Sequence, residues 1–346
     1  MSMSRWRQDL LREAQRNKKD EFYTQLIDIQ KELQHYTEAF FGKTVYLNCD
    51  DSRESNFYRY FYDNFERLGI KRLIATSYAP SGRSQKVSGS SYARTVNVVR
   101  NSLNAPVEVS SRRLKGDGDF RSEESINLLK QADIVVTNPP FSLFREFVAQ
   151  LIEHEKQFLI LGNMTAATSK EIFPLFMQDR IWYGKTIRSG DREFAVPDDY
   201  PLNASGYRID EDGARYIRVK GVRWFTNIEY SGRHTEYLFQ ERYAPDNYPE
   251  YTNFDAIDVS RTANIPSDYP GLMGVPVSFL DKYNPRQFEL IGTSRTLSKP
   301  MDQFAEKGTY TPGGPRFYLS NPDGTYRRLF ERIVVRNKRL RRGRRV

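Results

Sequence analysis

From Thr44 to Leu161 short apolar runs alternate with stretches that are apolar on one helical face only, and this alternation constrains the fold more than any other feature. Thr44 to Asp50 reads as a buried strand ending in polar residues, and Leu73 to Thr76, Asp133 to Thr137 and Phe158 to Leu161 repeat the pattern. A strand covered on both faces needs such a continuous apolar run. Helical spacing links Leu26, Ile29, Leu33, Tyr36 and Phe40, and again Phe57, Phe61, Phe65 and Leu68 behind Ser55; Ser122 to Ala132 and Ser142 to His154 read likewise. Strand-helix-strand units connect right-handedly, so the expectation is an α/β fold with a parallel sheet covered on both faces. Val96 to Val99 and Val107 to Val109 are weaker strand candidates, and the Ser- and Gly-rich stretch Ala79 to Ser91 reads as a surface loop.

The second half differs. After Lys170 to Met177, interrupted by Pro174, come short β-like runs (Ile181 to Tyr183, Tyr216 to Val219, Val222 to Thr226, Glu236 to Phe239) separated by Pro, Gly, Asn and Asp. We expect a catalytic domain over 1–175, a β-rich region over 176–326 able to include the last strands of the sheet, and a basic segment over 327–346. Of 53 Lys and Arg against 44 Asp and Glu, the last twenty residues hold ten basic against Glu331 alone, which leaves the rest balanced at 43 each. That excess includes Arg336, Lys338, Arg339, Arg341 and Arg342, whose cations suit phosphate oxygens; the plain alternative is a solvated tail. No apolar run approaches the roughly 20 residues of a membrane span, and the charged start is no signal peptide, so a cytoplasmic protein is expected. One cysteine, Cys49, and three scattered histidines exclude an internal disulfide and zinc-site spacing, and no metal is expected.

Asn138-Pro139-Pro140-Phe141 follows directly on the strand ending at Thr137. Ligands bind at the carboxyl ends of strands in open α/β sheets. Two prolines stiffen the corner, so that the Asn138 amide and a backbone carbonyl can accept hydrogen bonds together from an exocyclic amino group, while Phe141 stacks on the ring that carries it. The plain reading is a strand-ending turn.

The tetrapeptide resembles the Asn/Asp-Pro-Pro-Tyr/Phe signature of S-adenosylmethionine-dependent methyltransferases acting on adenine N6. Asp20 to Gln25, Tyr46 to Asp51 with Ser55 to Phe57, Gly116 to Ser122, Ser125 to Phe144, Trp224 to Asn227 and Met273 to Leu280 extend the resemblance, nearly end to end, to the EcoRI-type adenine-specific DNA methyltransferases. This resemblance implies a Rossmann-like S-adenosylmethionine-dependent methyltransferase sheet with a β-rich target-recognition region, S-adenosylmethionine as cofactor and double-stranded DNA as partner. It also implies a restriction-modification setting, with a cognate endonuclease as a functional rather than physical partner. Carried onto this chain, Asn138 to Phe141 hold an adenine flipped from the duplex. Asp20, Phe22, Tyr23, Thr24, Asn48, Asp50 and Asp51 enclose the methionine part of the cofactor, and Asp119 and Phe120 meet its adenine.

Two departures stand out: no glycine follows the first strand until Gly69, and Thr76-Ser77-Tyr78 lacks the acid that usually grips the ribose. Arg208, Arg215, Arg218, Arg223 and Arg233 are candidates for DNA contact, and Trp224-Phe225 reads as core or as pocket wall. Cys49 reads as a small buried residue rather than a nucleophile. Two other readings fit the motif, a protein glutamine-N5 methyltransferase and a catalytically inactive DNA-binding module.

Overall fold

The computed structural model describes residues 23–79, 92–100, 107–188, 191–196 and 206–342, with backbone alone for 341 and 342. Its elements begin with β1 (Tyr23–Thr24) and α1 (Leu26–Leu33), followed by β2 (Thr44–Asn48), all five of whose residues are buried. Ser55 caps α2 (Asn56–Asp63) by accepting from the Phe57 and Tyr58 amides at 3.1 and 3.3 Å, and Phe57, Tyr60 and Phe61 turn inward at helical spacing. Next come β3 (Arg72–Thr76), β4 (Arg94–Val99), β5 (Glu108–Arg113) and α3 (Glu123–Gln131), the last capped by Ser122. β6 (Ile134–Thr137), α4 (Phe144–Glu153) and β7 (Gln157–Asn163) complete the alternation. α5 (Phe173–Met177) takes Pro174 in its first turn, where a missing N–H costs nothing, so that proline starts this helix rather than interrupting it.

Two compact units emerge, and the chain passes between them. The first takes in the described residues up to Asn163 together with Gly184–Ser231; the second takes in Met164–Tyr183 and the described residues from Gly232 onward. β8 (Trp182–Tyr183) lies in the second, whereas β9 (Arg192–Val196), β10 (Arg208–Ile209), β11 (Arg215–Val219) and β12 (Val222–Thr226) return to the first.

In the first unit the large sheet runs β5-β4-β3-β2-β6-β7-β12. Only β3, β2, β6 and β7 are mutually parallel; β4 and β5 on one side and β12 on the other run antiparallel, which corrects the all-parallel expectation. An apolar run encodes burial, not direction, so the edge strands gave no sign of it. The chain goes from β2 to β3 on one side and later places β6 on the other, so strand order reverses between β2 and β6. A crevice at such a reversal is where open α/β sheets bind ligands. A smaller sheet, β1-β9-β11-β10, pairs Tyr23 with Ala195 and Thr24 with Phe194. Fully buried Glu32 anchors the returning chain: it accepts from Tyr36 Oη (2.7 Å) and from the Lys185 and Thr186 amides (2.7 and 2.8 Å), which replaces the water its carboxylate loses.

The second unit is built on β13 (Ile257–Asp258), β14 (Met273–Pro276), β15 (Phe288–Thr293) and β18 (Arg332–Asn337), with β18 antiparallel between β14 and β15. A hairpin, β16 (Tyr318–Ser320) and β17 (Tyr326–Arg328), lies beside a core of Tyr251, Phe317, Leu319, Leu329 and Val334. Thus Arg332 to Asn337, within the segment expected to be a basic tail, is an inner strand whose Ile333, Val334 and Val335 are fully buried. Glu236 to Phe239 forms no strand. The Gln287 side chain instead accepts from the Tyr237 amide (2.6 Å) and donates to its carbonyl (3.0 Å), giving that residue sheet-like pairing without a neighbouring strand. Among the described residues no helix is long and apolar enough to cross a membrane.

Candidate active site at the strand-order reversal

β2 delivers Asn48-Cys49-Asp50-Asp51 to the crevice. Cys49 takes φ +74°, the left-handed conformation that glycine adopts at least cost, so the turn is made without the glycine whose absence the sequence showed. Cys49 is half-buried and lines the cleft, which corrects its reading as a buried residue. The turn folds the Asp50 carboxyl inward, 8% exposed, where Ser55 Oγ donates to Oδ1 and Thr137 Oγ1 contacts Oδ2, each at 2.6 Å. Burial pushes this carboxyl up to about 7, against the two hydroxyls, which favour its charged form, while nearby Asp51 adds to the rise.

Proton counting explains the arrangement. Ser55 Oγ already accepts from the α2 amides, so its own proton goes to Asp50. Thr137 has one hydroxyl proton facing two acceptors, Asp50 Oδ2 and the Asn48 carbonyl. When Oδ2 is protonated it donates to Thr137 and Thr137 donates to Asn48, so every partner is satisfied.

β6 delivers Asn138 to Phe141. Pro139 is buried and its three companions are half-buried, with Asn138 Oδ1 sealed from solvent. The Pro140 carbonyl accepts from the Leu143 amide at 3.0 Å, opening the helical turn into α4, and Phe141 packs in part against the first core. Asn138 and Pro140 border one narrow cleft of about 40 Å³ with Tyr23, Thr24, Asp50 and Asp51. Thr24 is 5% exposed, and its Oγ1 has no hydrogen-bond partner, a costly state for a buried hydroxyl and one that a ligand would relieve. The Thr24 carbonyl is held by Asn56 Nδ2 at 2.8 Å, and Tyr23 Oη donates to Glu54 at 2.8 Å. Asn48, 1% exposed, accepts from Thr76 Oγ1 at 3.3 Å and has a buried Nδ2 without a partner. Asp51 accepts from the Arg53 amide at 2.9 Å.

The turn at Gly116 to Phe120 belongs to this end of the sheet. Gly118, at φ +80°, lies against the Ser77 carbonyl just beyond β3, only 2.1 Å from where a Cβ would stand, so only glycine fits. Asp119 pairs with Arg121 at 2.7 Å. Phe120 is 2% exposed and packs edge-on against Phe147 at 5.0 Å. Asp20 and Phe22 lie outside the described residues.

The expected DNA contacts are dispersed. Arg336 approaches Glu289 at 3.7 Å, Lys338 Nζ donates to the Pro285 carbonyl at 2.7 Å, and Arg339 pairs with Glu236 at 2.5 Å; the Arg341 and Arg342 side chains are outside the description. Arg208 pairs with Glu193 at 2.8 Å. Arg223 is 3% exposed and spends its guanidinium on the Val222 and Arg188 carbonyls at 2.9 and 2.5 Å, while Arg233 lies 3.3 Å over Trp182 and pairs with Asp179. Arg218 is exposed and Arg215 half-buried. Trp224 and Phe225 are core, packed on Phe57 and Phe144 at 6.0 and 4.7 Å. Ser55 and Thr137 escaped the sequence reading, although a capping serine after an Asp pair and a threonine closing an apolar strand were visible signals.

Residues 10–338 match the family model described as adenine-specific methyltransferase EcoRI. The chain belongs to this family. It is an adenine-specific DNA methyltransferase. It is 47% identical over 289 residues to the type II methyltransferase M.EcoRI of Escherichia coli, covering 82% of this chain and 88% of that protein. To the type II methyltransferase M.MpnI of Mycoplasma pneumoniae it is 40% identical, covering 80% of this chain and 83% of that one. The type II methyltransferase M.MgeORF184P of Mycoplasma genitalium is 38% identical, with coverage of 80% and 84%. No solved structure matches the chain.

Proposed function

We infer that this protein transfers a methyl group from S-adenosylmethionine to N6 of an adenine swung out of duplex DNA, as the modification enzyme of a type II restriction-modification system. The observation that carries the reading is the meeting of Asn138 and Pro140 with the buried acid Asp50 in one cleft at the strand-order reversal. A Rossmann-like methyltransferase sheet accounts for that placement. The residues fit the cofactor: Asp50 suits its ammonium, and the unsatisfied Thr24 hydroxyl has a hydrogen bond to give. When bound, S-adenosylmethionine supplies an electrophilic methyl on a positively charged sulfur that is already a good leaving group.

The chain's own work is orientation. An amino group paired inside a duplex is out of reach, and swinging its base out costs a few kcal/mol. Asn138 Oδ1, turned out of its sealed position, and the Pro139 carbonyl would then accept the two N6 hydrogens, drawing the nitrogen out of planar conjugation and freeing its lone pair for attack. No covalent bond from protein to base is needed, and the N6 proton departs with or after transfer. Tyr23 brings an aromatic face to the cation, while Asp119 and Phe120 need a small rearrangement of their present pairing to meet the cofactor adenine. The test is to incubate the protein with duplex DNA and methyl-labelled cofactor, then digest the DNA to nucleosides. Label in N6-methyldeoxyadenosine is expected; label on cytosine, or on protein alone, refutes the reading.

A further inference from the structure

Two guanidiniums in the second unit share one carboxylate, and a third acts on one of them. Glu331 Oε2 accepts from Arg295 Nε at 2.5 Å and lies 3.1 Å from an Arg316 terminal nitrogen, while Arg328 is close enough to repel Arg316. Burial, reinforced by Arg295 and Arg328 against the single Glu331, holds the Arg316 guanidinium below its ordinary range. Arg328 donates to the Gly314 carbonyl at 2.8 Å and has a buried Nε with no partner. Gly313 lies close against the Arg328 guanidinium, 2.9 Å from its carbon to where a Cβ would stand. Beside the cluster is a groove of about 250 Å³ walled by Tyr310, Tyr318, Pro312 and Arg316.

One residue here turns its side chain to solvent. Leu329 turns into the core at 7% exposed, and the next residue, Phe330, is 89% exposed between Arg328 and Glu331. A single exposed apolar side chain is ordinary on any protein surface. An exposed aromatic ring on a segment whose arginines outnumber the carboxylate they share is a composition with which proteins hold nucleic acid, since rings stack on bases and guanidiniums fork onto phosphates. We propose that this face of the second unit docks DNA, with Phe330 stacking on a base and Arg295, Arg316 and Arg328 holding neighbouring phosphates. Charge selects the occupant: three cations against one carboxylate call for a polyanion. The proposal rests on the DNA-methylating function inferred above and adds to it residues of the second unit that hold the duplex.

The test uses the full-length protein and a labelled duplex containing a site that the wild type methylates, with binding read by anisotropy over a range of salt. Phe330→Ala removes a ring that is 89% exposed, so its thermal midpoint should match wild type, while DNA affinity falls about tenfold and Phe330→Trp restores it. Arg295→Gln with Arg328→Gln should reduce the slope of log affinity against log salt by about 1 to 2. All variants should bind S-adenosylmethionine like the wild type by calorimetry. DNA affinity within twofold of wild type in Phe330→Ala overturns the proposal, as does a change confined to self-association in sedimentation, which would make Phe330 a contact between copies. Failure of the wild type itself to bind duplex DNA defeats the underlying functional reading, and is distinguishable from a binding wild type whose variants are unaltered.

Discussion

Replacing Asp50 by Asn should make the protein more stable and disable it. The substitution keeps the shape of the neutral acid: Asn can accept from Ser55 and donate to Thr137, which still donates to the Asn48 carbonyl. It removes the charge that burial opposes. With the folded-state pKa raised from 3.8 to about 7, the wild type carries no penalty below about pH 4, an increasing one as pH rises from 4 to 7, and the full one above 7. Three pKa units at 1.36 kcal/mol each set the ceiling at about 4 kcal/mol. Denaturant unfolding at pH 8 should therefore show Asp50→Asn more stable than wild type by up to about 4 kcal/mol, the difference vanishing near pH 4. Calorimetry should show cofactor affinity reduced at least tenfold, and wild-type affinity rising from pH 6 to 8 as the carboxylate forms. An Asp50→Asn protein that is less stable at pH 8 than at pH 4 relative to wild type, or that binds the cofactor normally, refutes this reasoning.

Three further outcomes follow from single features of the site. Thr24→Val deletes a buried hydroxyl without a partner, so it should stabilise the free protein by about 1 kcal/mol while weakening cofactor binding; unchanged affinity would mean the hydroxyl meets no ligand. Cys49→Gly should relieve the left-handed turn, again by about 1 kcal/mol in denaturant melts, and retain methyl transfer, whereas abolished transfer would assign the thiol a chemical task. Ending the chain after Leu340 leaves β18 whole yet removes Arg341 and Arg342 with the arginines beyond them. The salt dependence of DNA binding should flatten, and an unchanged slope would show that this end makes no phosphate contact.

What the sequence made legible was local. Thr44–Asn48, Arg72–Thr76 and Ile134–Thr137 stand within a residue or two of their expected bounds, because buried strands require uninterrupted apolar residues. Asn138 and Asp50 converge because both follow such strands. What stayed hidden depends on distant partners. Val222–Thr226 looked like a strand of the second half, but only its pairing with β7 shows that it belongs to the first sheet. Arg223 and Arg233 resembled surface cations, and it is the Arg188 carbonyl, Asp179 and Trp182, none adjacent in sequence, that occupy them. The missing glycine after β2 was plain to see; that a cysteine adopts its conformation was not.

The central claim is that the proline-stiffened corner presents Asn138 to the amino group of an extruded adenine. Its most direct test is single-turnover methyl transfer by Asn138→Ala, measured beside duplex binding and cofactor binding by the same preparation. Transfer reduced at least a hundredfold with both affinities within a few-fold of wild type is the result this account requires. Transfer at the wild-type rate would contradict it.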